Sequence, residues 1–162
     1  MLTLENATVE DIPLILEFIR ELAEYEKAAE QALATAEDLR RDGFTGQPKF
    51  RVLIARWEGA PAGFALYFYH YSTWMGRPTL FLEDLFVRSQ FRGHGIGKRL
   101  LAHLAKIAVA EGSGRFEWQV LNWNRPAIEF YQSLGAKVMN EWLTMRLTGP
   151  SLKALALRAE DA

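Results

Sequence analysis

Leu80-Phe-Leu-Glu-Asp-Leu-Phe-Val-Arg-Ser-Gln-Phe-Arg-Gly-His-Gly-Ile-Gly-Lys-Arg-Leu-Leu-Ala-His-Leu-Ala105 reads as strand, glycine loop and helix in one run. Leu80 to Val87 is apolar on both faces apart from Glu83 and Asp84, the pattern of a strand covered on each side. From Ile96 the apolar residues Ile96, Leu100, Leu101, Leu104, Ile107 and Ala108 recur at the spacing of one helical face, and Gly112 supplies the stop. Between these two periods lie Arg92, Gly93, Gly95 and Gly97.

Glycines at alternate positions leave backbone N–H groups unshielded, and a helix start adds free N–H groups and a positive dipole end. Such a loop is an anion cradle, and Arg92, Lys98 and Arg99 around it favour a phosphate or diphosphate. A Walker loop is excluded because Arg99 follows Lys98, and a dinucleotide fingerprint is excluded because position 98 is Lys. The pattern present, Arg-x-x-Gly-x-Gly from Arg92 to Gly97, resembles the acetyl-CoA pyrophosphate loop of the GNAT superfamily of N-acetyltransferases.

Composition narrows the classes further. A chain of 162 residues with 49% hydrophobic content is expected to form one domain, residues 1–162, with a substantial core. A net charge of −1 with interspersed signs gives no reason to expect nucleic acid or an anionic membrane as partner. The absence of cysteine removes disulfides, thiolate catalysis and sulfur-ligated metal, and His70, His94 and His103 form no metal spacing, so no metal is expected. No apolar run resembles a signal peptide or a membrane span, which makes the cytoplasm the expected compartment.

Along the chain, Leu2 to Ala7 is expected as a first strand, followed by a helix opened by the capping signature Thr8-Val-Glu-Asp11. A second helix is expected from Thr35-Ala-Glu-Asp38 to about Gly43. Phe50 to Trp57 and Ala62 to Tyr71 flank Glu58-Gly59-Ala60-Pro61 and should form a hairpin, leading by a short loop into the central strand. Beyond the central helix, Arg115 to Leu121 reads as a strand and Asn124-Arg-Pro126 as a helix start. Trp142 to Leu147 reads as a last strand and Pro150 to Leu157 as a terminal helix. The order gives an α/β protein with a mixed, mostly antiparallel sheet flanked by helices.

That order is also the order of the GNAT fold, and the resemblance spans nearly the whole chain. Leu82-Glu-Asp-Leu-Phe-Val87, Arg92-Gly-His-Gly-Ile-Gly97, Asn124-Arg-Pro-Ala-Ile-Glu-Phe-Tyr131 and Leu134-Gly-Ala136 carry it through the second half. Glu21-Leu-Ala-Glu-Tyr-Glu26 and Asp42-Gly-Phe44 resemble the beginning of the spermidine/spermine and thialysine N-acetyltransferases. The chain departs from the animal polyamine enzymes near Lys137 to Trp142, where its segment is shorter.

Acetyl transfer to an amine needs the amine neutral at attack, against an alkylammonium pKa of about 10.4, so a base is required. Glu83 is the leading candidate, because burial in an apolar strand would raise its pKa; its neighbour Asp84 should point to the opposite face of an extended strand. The departing thiolate, with a reference pKa of about 8.5, can be met by a phenol. The resemblance implies Tyr131 for that role.

It implies as well that acetyl-CoA is held by Leu85, Phe86 and Val87, by the loop Arg92, Gly93, His94, Gly95, Ile96, Gly97 and Lys98, and by Asn124, Arg125, Pro126 and Ala127. Tyr25, Glu26, Glu117, Trp118 and Gln119 are expected to line the amine site. The implied reaction is direct transfer in a ternary complex to a small primary amine (a polyamine, diamine or thialysine-like amino acid), by a homodimer. Protein lysine as acceptor, and a non-catalytic CoA-binding module, remain as alternative readings.

Overall fold

The computed structural model describes residues 1–159, and the final three residues of the expected single domain lie outside that range. The chain divides into two compact units, 1–121 and 122–162. In the first, strands β1 (Leu2–Asn6), β2 (Arg51–Trp57), β3 (Ala60–Ser72), β4 (Arg77–Val87) and β5 (Arg115–Trp118) form one sheet in chain order. All neighbours are antiparallel except β4 and β5. Helices α1 (Ile12–Tyr25), α2 (Ala36–Gly43) and α3 (Ile96–Ala110) complete this unit.

Local chemistry sets many of the boundaries. The backbone N–H of Thr8 donates to Asp11, forming a single 3-10 turn before α1, and Thr35 and Asp38 exchange bonds at the start of α2. The β2–β3 hairpin closes on Glu58 and Gly59, both at positive φ, the twist that a two-residue loop needs. A Cβ on Gly63 would lie 2.3 Å from the Phe86 carbonyl oxygen, so only glycine lets β3 approach β4 there.

One face of the sheet packs on α1. Ile12, Ile15, Leu16, Phe18 and Leu22, at helical spacing, bury against Val52, Ile54, Phe64, Leu66 and Phe86, at strand spacing. Phe18 stacks on Phe64 at 5.2 Å and meets Phe86 edge-on at 6.5 Å. Fully burying one such ring contributes about 1.5–3 kcal/mol. Above Phe18, at 4.8 Å, lies the Arg88 guanidinium, which donates to both oxygens of Glu21 and to the Pro61 carbonyl.

A bulge interrupts β4 at the point that matters for chemistry. Leu66 pairs with Asp84 and Tyr67 with Leu82, leaving Glu83 without a partner on β3. The extra residue reverses the alternation, so Asp84 and Phe86 lie on the α1 side whereas Leu80 and Leu82 lie on the side of Tyr67 and Tyr69. On that second side the Tyr69 hydroxyl donates to Glu111 at the end of α3.

The second unit contains α4 (Arg125–Ser133) and α5 (Gly149–Leu157). Asn124 caps α4 by accepting from the Ala127 N–H, and Gly135, at φ 95°, closes its end. The expected strand from Trp142 to Leu147 is not formed; these residues adopt no regular element, and Trp142, Leu143 and Met145 are exposed. An apolar run is compatible with a strand, but a strand exists only through its ladder partner. The expected strand end at Leu121 likewise retreats to Trp118, where pairing with β4 stops.

Candidate active site

Pairing between β4 and β5 runs from Thr79↔Arg115 to Leu82↔Trp118 and no further. From Glu83 to Val87 the β4 edge away from β3 therefore faces an opening between two parallel strands. Leu85, Phe86 and Val87 lie on this stretch, which has the form that accepts an extended ligand as an added strand. The Val87 carbonyl already accepts from Arg92 Nε at 2.9 Å.

The chain then turns through Ser89–Phe91 into the glycine loop and α3. Gly93 and Gly95 have φ of 84° and 75°, the left-handed region that glycine enters without strain. Gly95 is the N-cap of α3 and has no side chain to occupy the free N–H groups of the first turn. A Cβ at Gly97 would meet only a Val87 methyl, at 4.0 Å, so nothing within the protein demands a small residue there. A loop that keeps its amides bare without needing to for packing at Gly97 has the chemistry of an anion cradle.

The basic and aromatic side chains around the loop divide their tasks. Lys98 and Arg99 are exposed on the first turn of α3. Arg92 folds back, its guanidinium 5.0 Å above the Tyr25 ring and 5.8 Å from Phe86. His94 packs at 4.7 Å on Trp57, and its Nδ1 faces the carbonyls of Phe91 and Arg92, a setting in which that nitrogen donates. Tyr25, expected at the amine, is thus engaged with the loop arginine and joins the end of α1 to the cradle.

Beside the bulge, a cavity of about 310 Å³ opens between the end of α1 and β4. Ile19, Leu22 and Ala23 supply apolar wall, and Glu26, Glu83 and Asp84 supply carboxylates. Two expectations change here. Glu83 is exposed, and the acid held in by its surroundings is Asp84, whose pKa rises to about 7 through burial first, then the charges of Glu83 and Glu26. The two acids also line the same cavity rather than opposite faces, because the bulge adds the residue that alternation would have used to separate them. Burial raises the Glu26 carboxyl as well.

The β5 candidates separate. Glu117 pairs with Phe81 on the α1 side, whereas Trp118 pairs with Leu82 on the other side and packs on Phe116 at 4.9 Å. Gln119 lies past the strand end. Glu117, Trp118 and Gln119 therefore do not face one cleft, because alternation holds along β5. The sequence reading passed over Phe68, His70 and Phe81, whose rings cluster on the α1 side next to Glu117. Their signal was the alternation of Phe68 and His70 with Tyr67 and Tyr69 on β3.

In the second unit Asn124 has a capping role in α4, with Arg125 and Pro126 exposed in the first turn and Ala127 half-buried. Tyr131 is half-buried on the same helix, 5.6 Å from the Phe130 ring. Among the described residues no group of three or more His, Cys, Asp or Glu side chains is arranged to hold a metal ion. No described helix is long and apolar enough to cross a membrane.

Comparison with known proteins agrees with this architecture. The chain is 40% identical over 153 residues to a thialysine N-epsilon-acetyltransferase of Sus scrofa, covering 88% of this chain and 89% of that protein. It is 36% identical over 140 residues to a human spermidine/spermine N(1)-acetyltransferase-like protein, covering 82% of this chain and 20% of that much longer one. Among solved structures, an integron cassette protein from the mobile metagenome of V. cholerae superposes with a TM-score of 0.81 at 28% identity, covering 96% of this chain and 97% of the other. The sequence pattern of the Acetyltransferase (GNAT) family matches residues 15–136, from α1 through the bulged strand, the glycine loop and α4, and the chain belongs to that family.

Proposed function

We propose that this protein is an acetyl-CoA-dependent N-acetyltransferase for a small primary amine of the diamine, polyamine or thialysine-like class. The observation that carries this reading is the unpaired edge of β4 from Glu83 to Val87, which runs from the acidic cavity directly to the bare-amide loop. Acetyl-CoA supplies the activated acyl group. Backbone groups of Leu85, Phe86 and Val87 pair with its extended arm, and the amides and cations from Arg92 to Lys98 neutralise its diphosphate. The family match extends over α4, which supports assigning Asn124, Arg125, Pro126 and Ala127 to acetyl-CoA as well.

The amine enters as an ammonium, attracted by the carboxylates of Glu26 and Glu83. Glu83 takes the ammonium proton, directly or through water, and releases it to solvent. Asp84, behind it, holds a proton to near neutrality and limits how much negative charge the cavity gathers. Tyr131 donates its phenolic proton to the departing thiolate and is reprotonated from solvent. The names of the similar thialysine and spermidine/spermine N-acetyltransferases support an acceptor with more than one nitrogen.

The reading extends to one catalytic domain that works in the cytoplasm as a homodimer. The family match runs across both compact units, which supports the first. Leu152, Leu155 and Leu157 of α5 expose apolar surface suited to a second copy. The test of the mechanism is Glu83→Gln. Catalytic efficiency should fall most at low pH, where few amines are already neutral, and recover in part as pH rises. A folded variant whose pH profile coincides with the parent's removes Glu83 from proton transfer.

A further inference from the structure

Beyond the acidic cavity the sheet carries a second feature that no step above uses. Phe68, His70 and Phe81 form a ring cluster in which His70 stacks on Phe81 at 4.5 Å and 19°, and Phe68 lies 5.4 Å from Phe81 and 5.2 Å from His70. Phe68 and His70 continue the alternation of Phe64 and Leu66 along β3, so the cluster lies on the α1 side of the sheet, as Asp84 does. Core aromatics are buried, yet here the phenylalanines are half-buried and His70 is exposed. On β5 the register partner of Phe81 is Glu117, also exposed.

Aromatic faces beside a carboxylate form a cation receptor, the rings attracting positive charge through their quadrupole and the carboxylate through its own. The cluster lies along β4 from the cavity, Phe81 preceding Glu83 by two residues on that strand. Two strand residues span roughly 7 Å. A saturated chain advances about 1.3 Å per bond, given 3.8 Å over three backbone bonds, so this span matches about five or six bonds between nitrogens.

Resting on the acetyl-transfer reading, we propose that Phe68, His70 and Phe81, with Glu117, form the subsite for the acceptor's second cationic nitrogen. The nitrogen to be acetylated lies at Glu83, and the distal ammonium lies over the rings. Acceptors with four or five methylenes between nitrogens then fill both positions, and a monoamine of equal length fills one.

The test compares 1,4-diaminobutane and 1,5-diaminopentane with 1-aminobutane as acceptors. For the parent, kcat/KM for the diamines should exceed that for the monoamine by about tenfold, the yield of one partly desolvated cation–π contact. Phe81→Leu should bring the ratio close to one. A ratio that stays at the parent's value in folded Phe81→Leu protein overturns the proposal, since a packing defect lowers both substrates together. His70→Ala, at an exposed position, provides the same reading if Phe81→Leu fails to fold. If the parent acetylates none of these amines, the acetyl-transfer reading is what has failed. The subsite is then read from calorimetric binding of the same amines to the CoA-loaded protein, where equal affinities for diamine and monoamine overturn it.

Discussion

Replacing Asp84 by Asn should flatten the pH dependence of stability between about pH 4 and 8, and the sign follows from where the Asp84 proton is held. In the folded protein burial and the neighbouring Glu83 and Glu26 charges raise this carboxyl from 3.8 to about 7. Over that window the unfolded chain has lost the proton and the native state retains it, so stability falls as pH rises and levels off above about pH 7. At about 1.4 kcal/mol per unit the full shift corresponds to about 4 kcal/mol, and water entering the open cavity screens it to about 2–4 kcal/mol. For a chain of this length that is a fall in Tm on the order of 10 °C. Asn keeps the shape without the charge, so the variant should match the parent near pH 4 and exceed it at pH 8. Thermal melts of both proteins at half-unit pH steps give the difference curve. Parallel curves for parent and variant would refute the assignment of the raised pKa to Asp84.

The proposed roles of the glycine loop and of Tyr131 are open to equally direct tests. Gly95→Asp places a carboxylate at the N-terminus of α3, where an added Cβ meets nothing within 4 Å and the left-handed backbone at φ 75° costs a non-glycine residue about 1–2 kcal/mol, a strain the fold should absorb. Affinity for CoA should fall by tenfold or more, on the order of the charge repulsion at contact, and unchanged calorimetric affinity would remove the loop from the diphosphate site. Tyr131→Phe deletes one hydroxyl from α4 and should lower kcat by roughly 10²-fold with little effect on acetyl-CoA affinity, because the proton is needed only as the thiolate departs. Near-parental turnover in a pre-steady-state assay of the acyl-transfer step would make Tyr131 a packing residue.

The sequence by itself determined the parts of this protein that local chemistry dictates. Capping pairs at Thr8 and Thr35, the hairpin at Glu58-Gly59, and above all the run from Leu80 to Ala105 announce their structures through nearest neighbours and fixed periods. The glycine loop was legible because its conformation and its bare amides are properties of the residues themselves. What only the tertiary structure decided depends on partners distant in the chain. One extra residue on β4, visible only against β3, places Glu83 and Asp84 in one cavity, where burial and the Glu83 and Glu26 charges raise the pKa of Asp84. The end of β4–β5 pairing at Leu82 and Trp118 opens the edge that a ligand can join. Trp142 to Leu147 carries a strand-like pattern without becoming a strand, because periodicity states which faces are apolar and a ladder partner must come from elsewhere. Side-chain chemistry was therefore readable residue by residue, whereas burial, shared charge and strand pairing are properties of pairs that only the folded chain brings together.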